Sequence, residues 1–254
     1  MSRPSACLNC ESPVSGKFCP DCGQKTDTHR ITFKHFVMHD ILHGVWHFEK
    51  GILFTLKEAM FRPGQAAVDY INGKRIRYYN VFYLMLLLIG LGIFIDHQYI
   101  TAKLKYVSYI EPDIESAEDS MVLEFISKYV KFIVLLALPL FSFTTYILFN
   151  KRKFNYSEHV IIFGMLYLGT IVITLIGNLF YFGEFVESLS FLFDVGFYFI
   201  PTVGLIYLIN GFYGAFGKDY TFVQFCLRLL VFIVLIFVYM RLMALVLKLF
   251  LVHS

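Results

Sequence analysis

Four cysteines near the N-terminus have the spacing of a metal site. They form two C-x2-C pairs, Cys7 with Cys10 and Cys19 with Cys22, separated by eight residues. Each pair places two thiolates on one tight turn, and two such turns face to face supply the four ligands of a tetrahedral zinc ion. We therefore expect one structural Zn2+ ion per chain, bound in a small zinc ribbon over residues 1–28.

Two other uses of these cysteines have to be weighed, disulfide bonds and a redox C-x2-C motif. Disulfides need an oxidising compartment, which the cytoplasmic N-terminus predicted from the loop charges does not provide. A thioredoxin-like motif needs a strand–turn–helix context, and the sequence offers none. The second pair is followed by Gly23, which permits the positive φ of a metal-binding turn. Because all four ligands are thiolates, no coordination position remains for a catalytic water.

Four histidines follow the cysteines at intervals of four residues: His35, His39, His43 and His47. On a helix they form one stripe, and histidine pairs at this spacing can chelate a second metal ion. The interpretation that we favour is an amphipathic helix at the lipid headgroups with a histidine edge, because large apolar residues share the segment.

Short amphipathic helices are expected to form a juxtamembrane collar over residues 29–78. One helix should end at Arg62-Pro63-Gly64, because proline disfavours helical geometry at the residue before it. A second helix should end at Asn72-Gly73, which is a typical C-terminal cap.

The composition predicts that most of the remaining chain lies in lipid. Of 254 residues, 57% are hydrophobic and only 16% are charged, which is not typical of a soluble domain. A soluble enzyme, a disordered tail and a disulfide-rich secreted module are therefore excluded, and a net charge of +3 does not favour nucleic acid as a partner. We expect an all-α polytopic membrane protein with a five-span bundle over residues 79–254. The predicted spans are Asn80–Ile95, Val130–Phe149, Val160–Phe182, Phe191–Phe212 and Leu229–Leu249.

Charged residues between the spans predict the orientation. Lys74, Arg75 and Arg77 precede the first span, further cations fill two connections, and acidic residues fill the other two. By the positive-inside rule, the N-terminus is cytoplasmic and the C-terminus lies outside the inner membrane. The three cations also suit anionic lipid headgroups, although setting the orientation would be enough to explain them.

Three polar residues fall inside the predicted spans: Asn178, Asp194 and Arg241. Burying such groups in hydrocarbon is costly, so a functional role has to be considered. They could line a polar pocket that opens towards the outer face. The interpretation that we favour is a structural ion pair between Arg241 and Asp194, with Asn178 as an additional partner.

Several motifs follow one another along the N-terminal part of the chain. They are the two C-x2-C pairs, Phe18-Cys19-Pro20-x-Cys22-Gly23-Gln24, Gly51-x3-Thr55, Arg62-Pro63-Gly64 and Tyr70-Ile71-x-Gly73-Lys74-Arg75. With these motifs, residues 7–85 resemble the bacterial domain-of-unknown-function 3667 family. The resemblance implies a zinc-ribbon protein of the inner membrane with unassigned biochemistry. The predicted topology is also similar to that of Yip1-like membrane proteins.

No motif in the sequence predicts catalysis: a P-loop, G-x-G-x-x-G, H-E-x-x-H and G-x-S-x-G are all missing. We therefore expect a non-enzymatic scaffold or adaptor whose zinc ribbon docks a cytoplasmic or membrane protein, with lipids around the bundle. A homo-oligomer is compatible with this role. The alternative is a transporter or channel for small molecules or lipids that uses the polar intramembrane residues. A metal sensor that uses the histidine stripe is a third hypothesis.

Overall fold

The computed structural model describes residues 6–26, 51–110 and 136–253. The first range is called here the metal module, and the predicted histidine stripe lies outside the described residues. Within these ranges, seven α-helices follow the metal module, and the only strand-like pairings are two isolated bridges in that module. The helices are α1 (Ile52–Phe61), α2 (Pro63–Ile71), α3 (Val81–Ile110), α4 (Leu136–Leu148), α5 (Tyr156–Phe180), α6 (Phe191–Phe216) and α7 (Phe222–His253).

Four helical segments are long and apolar enough to cross a membrane, so the predicted fold class is confirmed. The predicted second span is described only from residue 136, and its described part, α4, is shorter than a spanning helix. The four segments are Val81–Tyr106, Tyr156–Phe185, Glu187–Asp219 and Phe222–Tyr239.

Two of the helices extend well beyond their predicted spans. Helix α3 continues past Ile95, the predicted end of the first span, as far as Ile110. A stretch that stops at Ile95 would reach only about 24 Å, less than the roughly 30 Å of hydrocarbon. Helix α7 begins at Phe222, before its predicted start at Leu229, because Arg228 is accommodated: its Nε donates to the carbonyl oxygen of Leu148 over 2.8 Å.

The helices alternate in direction. The pairs Phe82–Gly164 and Asp96–Asn178 share one sequence offset, so α3 and α5 run parallel. Helix α6 runs antiparallel to α5, because Gly211 packs against Leu166 whereas Ile200 packs against Gly177. Helix α4 is also antiparallel to α5, as the ring pair Phe141–Phe163 and the contact of Thr145 with His159 indicate. Since α3 and α5 point the same way, the chain must return between them, and α4 forms part of that return.

Helix α5 is the centre of the bundle. About two-thirds of its most apolar 18-residue stretch is buried, compared with less than one-fifth of the corresponding stretch in each of the other three candidate spans. Its first turn forms a capping box: the amide of Glu158 donates to Asn155 Oδ1 over 2.9 Å, and the amide of Asn155 donates to Glu158 Oε2 over 2.7 Å. This cap satisfies backbone groups that would otherwise be buried without partners at the helix start.

Helices α1 and α2 form a pair that packs directly on α5 and α6. The first ends before Arg62 and the second before Asn72 and Gly73, so both predicted helix ends are confirmed. Small residues on this pair allow a close approach: Ala66 and Ala67 are fully buried. An added Cβ on Gly64 would overlap the backbone of α6 at Gly211 and Ala215. The pair is called the interfacial helix pair below, and residues 72–80 after it form the junction loop.

Candidate metal centre and the polar contacts of the bundle

The four predicted metal ligands converge in the structure. The sulfur atoms of Cys7, Cys10, Cys19 and Cys22 all lie within 4.8 Å of one another. The Sγ atoms of Cys7 and Cys22 are 3.6 Å apart, and those of Cys10 and Cys19 are 3.5 Å apart. A tetrahedral zinc ion with sulfur ligands at about 2.3 Å separates neighbouring sulfurs by about 3.8 Å. All four are free thiols, and together they could hold one metal ion.

The two C-x2-C pairs lie on equivalent turns. The amide of Glu11 donates to the carbonyl oxygen of Cys7 over 2.8 Å, and the amide of Gly23 donates to that of Cys19 over 3.0 Å. Both donor residues have a left-handed backbone conformation, with φ of 64° at Glu11 and 73° at Gly23. The predicted positive φ at Gly23 is confirmed, and Glu11 adopts the same conformation without the freedom of glycine.

The ligands differ in their exposure to solvent. Cys7 and Cys19 are buried, whereas Cys10 is exposed. The hydroxyl of Ser12, 3.4 Å from Cys10 Sγ, and the Ser12 backbone amide lower the pKa of the Cys10 thiol to about 6. A lower pKa favours the thiolate, which is the form that binds metal. A set of four thiolates fits a closed structural site, because a catalytic zinc keeps one position for water.

Gln24 attaches the metal module to the junction loop. Its side chain is buried, and its Nε2 donates to the carbonyl oxygen of Gly73 over 2.7 Å. Its Oε1 accepts hydrogen bonds from the amides of Arg75 at 3.1 Å and Ile76 at 3.3 Å. One side chain thus satisfies three backbone groups of the loop that leads into α3. The metal module is therefore anchored at the end of the bundle where α3 and α5 begin, which we call the module end.

A second group of contacts reinforces this attachment. Arg77 donates from Nε to Asn9 Oδ1 over 3.1 Å and from a terminal nitrogen to the Asn9 carbonyl oxygen over 3.4 Å. Leu8 packs against Gly73, where an added Cβ would lie 2.7 Å from Leu8 Cδ1. Gly73 also has φ of 105°, so both the turn and the close approach require glycine there.

The three cations predicted to meet lipid headgroups all have partners within the chain. Lys74 Nζ lies 2.9 Å from Asp69 Oδ1. Arg75 donates from Nε to the Tyr70 carbonyl oxygen over 3.3 Å, and its guanidinium lies 5.7 Å from the centre of the Tyr70 ring. Arg77 binds Asn9. These contacts order the junction loop, and binding of the same cations to lipid stays a prediction.

Asn178 has a partner outside the predicted set of polar residues. Its Nδ2 donates to Oδ1 of Asp96 on α3 over 2.9 Å. Asp96 lies about 21 Å along α3 from Phe82, and a hydrocarbon layer of about 30 Å would enclose it. The pair therefore joins two candidate spans at a depth where a polar contact is unusual.

Further polar contacts continue from this pair towards the end of the bundle away from the metal module. The hydroxyl of Tyr99 donates to Glu184 Oε1 over 2.6 Å. Lys103 Nζ lies 3.4 Å from the Glu184 carboxylate and 5.5 Å from the centre of the Tyr99 ring. These three residues and the Asp96–Asn178 pair form what we call the far-end polar cluster.

The other two predicted intramembrane residues lie apart. The guanidinium of Arg241 lies 4.9 Å from the centre of the Phe237 ring, one helical turn away. Asp194 and Arg241 are both exposed, and no ion pair within the described ranges joins them. The structure thus does not bring either of them into a hydrogen-bonded group with Asn178.

Three residues that organise these sites were not predicted from the sequence. For two of them, Gln24 and Asp96, the sequence nevertheless shows a feature that points to the residue. Gln24 follows Gly23 directly in the second metal-binding motif. Asp96 follows the predicted end of the first span, and that span was too short to cross a bilayer. Asn9 carried no signal, because its contact with Arg77 depends on how the module packs.

The comparisons with known proteins identify one segment. Residues 49–91 match the family described as protein of unknown function (DUF3667). The resemblance to this family is therefore confirmed for this segment, which contains the interfacial helix pair, the junction loop and the first part of α3. The zinc ribbon that the resemblance implies stays a prediction. No curated protein and no solved structure matches the chain, so the likeness to Yip1-like membrane proteins stays a prediction.

Proposed function

We propose that this chain, which carries a DUF3667 segment, is a non-enzymatic scaffold or adaptor of the inner membrane whose N-terminal zinc module docks a partner. The observation that carries this proposal is the triple hydrogen bond of Gln24 to the junction loop, at Gly73, Arg75 and Ile76. A module fixed at the edge of a membrane bundle presents a defined surface, whereas a module on a free tether does not.

The chemistry of the ligand set supports zinc in the module. Thiolates are soft ligands that select Zn2+ among the common divalent cations, and a closed set of four gives the metal a structural role. The module spans about twenty residues and has too small an apolar core to fold alone. Metal binding would therefore supply most of its folding free energy.

The positions of the basic loops support a cytoplasmic module end. Arg152, between α4 and α5, pairs with Asp219, between α6 and α7, at 2.6 Å. The Nζ atom of Lys151, next to Arg152, lies 4.6 Å from the ring centre of Tyr220, which follows Asp219 in the connection between α6 and α7. These connections lie at the module end, where Lys74 also precedes α3, so three basic segments share one side, as the positive-inside rule requires of the cytoplasm.

The docking surface is the part of the module that faces away from the junction loop. Gln24, Asn9 and Leu8 are occupied by contacts with the loop. Phe18 is 60% exposed and offers an aromatic anchor of the kind found at protein interfaces. The partner would be a cytoplasmic or membrane protein, or a second copy of this chain.

The experiment that tests this function is co-purification from native membranes in a mild detergent. The wild-type chain is compared with a double variant, Cys19→Ser with Cys22→Ser, and with Phe18→Ala. A stoichiometric partner should accompany the wild type, be lost from the double variant and be weakened by Phe18→Ala. If all three samples are folded and none holds a partner, the adaptor function is wrong.

A second candidate function is transport or lipid handling, which the Asp96–Asn178 pair favours. Polar residues at this depth often mark a substrate or ion pathway. The test is Asp96→Asn, which keeps a hydrogen-bonding side chain but removes the carboxylate. Loss of function in cells with unchanged expression and detergent stability would support a working site, whereas unchanged function would limit the pair to holding α3 against α5.

A further inference from the structure

We propose that the interfacial helix pair is inserted into the lipid leaflet at the module end, where the exposed edge of α1 binds acyl chains. This inference does not depend on the adaptor function. The adaptor function concerns the metal module, whereas the inference concerns the face of the interfacial helix pair that points away from the bundle.

The two edges of α1 have different chemistry. The edge that faces the bundle holds Thr55 and Ala59, both buried. The opposite edge holds Leu53, which is 81% exposed, and Phe61, which is 73% exposed. Lys57 lies between them and is also exposed. An edge with two large apolar side chains and one lysine suits lipid, because lysine can extend its ammonium group to the headgroups while its stem stays among the chains.

The depth of α1 follows from its contacts with the spanning helices. Gly164 on α5 lies level with Phe82, the second residue of the first candidate span. Gly169 is five residues further along α5, about 8 Å deeper. An added Cβ on Gly169 would lie 2.9 Å from the carbonyl oxygen of Ala59. Helix α1 therefore reaches about 8 Å past the level at which α3 enters the apolar layer, within the 5–10 Å typical of an inserted amphipathic helix.

Several polar groups on the pair have partners inside the protein, as a lipid environment favours. The hydroxyl of Tyr207 donates to the Ala59 carbonyl oxygen over 2.6 Å in a buried contact. At the break between the two helices, the amide of Arg62 donates to the Glu58 carbonyl oxygen over 2.9 Å. The Arg62 side chain pairs with the Glu58 carboxylate at 2.6 Å and with Asp69 at 3.4 Å. The arginine at the break is thus paired with two carboxylates of the chain.

The occupant of this edge is lipid rather than a protein, because the edge lies at the depth of the spanning surfaces. Phe94 on α3 is 60% exposed on such a surface. Acyl chains that cover the outside of α3 would meet Phe61. Leu53 lies closer to the headgroups, because Thr55 near it accepts a hydrogen bond from the Tyr79 amide, which precedes α3. Burial of Phe61 among acyl chains and of Leu53 at the interface removes apolar surface that water would otherwise cover.

Tryptophan fluorescence in vesicles tests the insertion. The chain has one tryptophan, so a Trp46→Phe background allows a single reporter. Phe61→Trp is compared with Phe94→Trp on a candidate span and with Phe18→Trp on the metal module; Phe94 and Phe18 are both 60% exposed. The full chain is reconstituted in phosphatidylethanolamine and phosphatidylglycerol vesicles with and without brominated acyl chains.

Bromolipid should quench both Phe61→Trp and Phe94→Trp and should leave Phe18→Trp unquenched. Acrylamide should quench Phe18→Trp more strongly than the other two. If Phe61→Trp behaves like Phe18→Trp, the edge lies in water, and if neither agent quenches it, a protein covers the edge; both results overturn the proposal. Leu53→Trp is a second reporter on the same edge in case Phe61→Trp does not fold.

Discussion

The metal module and α2 are attached at the module end by other means than those that attach α3 at the far end. At the module end, the contacts involve main-chain atoms. The side chain of Gln24 binds three main-chain groups of the junction loop, and α2 approaches the backbone of α6 so closely that Gly64 has no room for a Cβ. At the far end, α3 is joined to α5 and to the turn after it by contacts between side chains, such as Asp96 with Asn178 and Tyr99 with Glu184.

This difference teaches where the structure should tolerate change. A contact between backbones has no side chain that can move aside, so a small substitution there should have a large effect. A contact between side chains in a membrane contributes less, because each group also finds partners when the helices separate. Four predictions test this contrast, from the largest expected effect to the smallest.

Metal removal should have the largest effect. Structural zinc sites bind with an apparent free energy of roughly 10–16 kcal/mol, and little else holds a module of this size together. We expect about one zinc ion per wild-type chain and none in the Cys19→Ser, Cys22→Ser variant by elemental analysis. Hydrogen exchange at the junction loop should become faster in that variant.

Cys226 provides the matched control for metal removal. It is exposed at the start of α7 and outside the ligand set, so Cys226→Ser should keep its zinc. A wild-type chain with intact thiols but no stoichiometric metal would contradict the metal centre.

Gly64→Ala should have the next largest effect. The added methyl group would overlap Gly211 and Ala215 on α6, and overpacking of this kind typically costs about 1–3 kcal/mol. The expected result is a lower thermal midpoint in detergent. Gly90→Ala on α3 is the control, because no atom lies within 4 Å of the added Cβ. Equal midpoints for the two variants would show that the close approach does not hold α2 against α6.

Gln24→Ala should weaken the attachment of the module without removing its metal. The variant removes three hydrogen bonds to the junction loop. The Arg75 amide and the Gly73 carbonyl oxygen still have each other at 3.0 Å, whereas the Ile76 amide loses its Gln24 acceptor, which costs about 1–3 kcal/mol if the amide remains buried. We expect faster hydrogen exchange at the amide of Ile76 above all, with zinc content unchanged. Lys17→Ala at an exposed site of the module is the control. Protection equal to that of the wild type would refute the anchoring role of Gln24.

The far-end contact should have the smallest effect. A double-mutant cycle of Asp96→Ala and Asn178→Ala should give a coupling energy of about 0.6 kcal/mol, with an upper bound near 1.7 kcal/mol. The same cycle at Asp194 and Arg241 should give no coupling, because nothing joins their side chains. Coupling at the second pair would instead support the ion pair predicted from the sequence.

Much of this architecture could be predicted from local patterns. The spacing of Cys7, Cys10, Cys19 and Cys22 predicted a site whose sulfurs converge, since ligands on two short turns need few distant contacts. The breaks at Arg62-Pro63-Gly64 and at Asn72-Gly73 were also correct. Proline and glycine limit the backbone at their own positions, so these helix ends are decided locally.

The partners of polar residues could not be predicted in the same way. Asn178 was grouped with Asp194 and Arg241, because all three interrupt apolar stretches. Its actual partner, Asp96, lies 82 residues away, on a helix whose rotation and height relative to α5 are set by packing along its whole length. A shift of one residue in that register would have turned Asp96 away from Asn178.

The sequence by itself thus determined the apolar helices, their breaks and the four metal ligands, because period, length and ligand spacing are properties of short segments. Only the tertiary structure decided that Gln24 anchors the metal module, that the interfacial helix pair packs on α5 and α6, and that Asp96 meets Asn178. Each of these contacts joins segments that lie far apart in the sequence. Local preferences do not encode the spacing between such segments, because the packing of the whole bundle sets it.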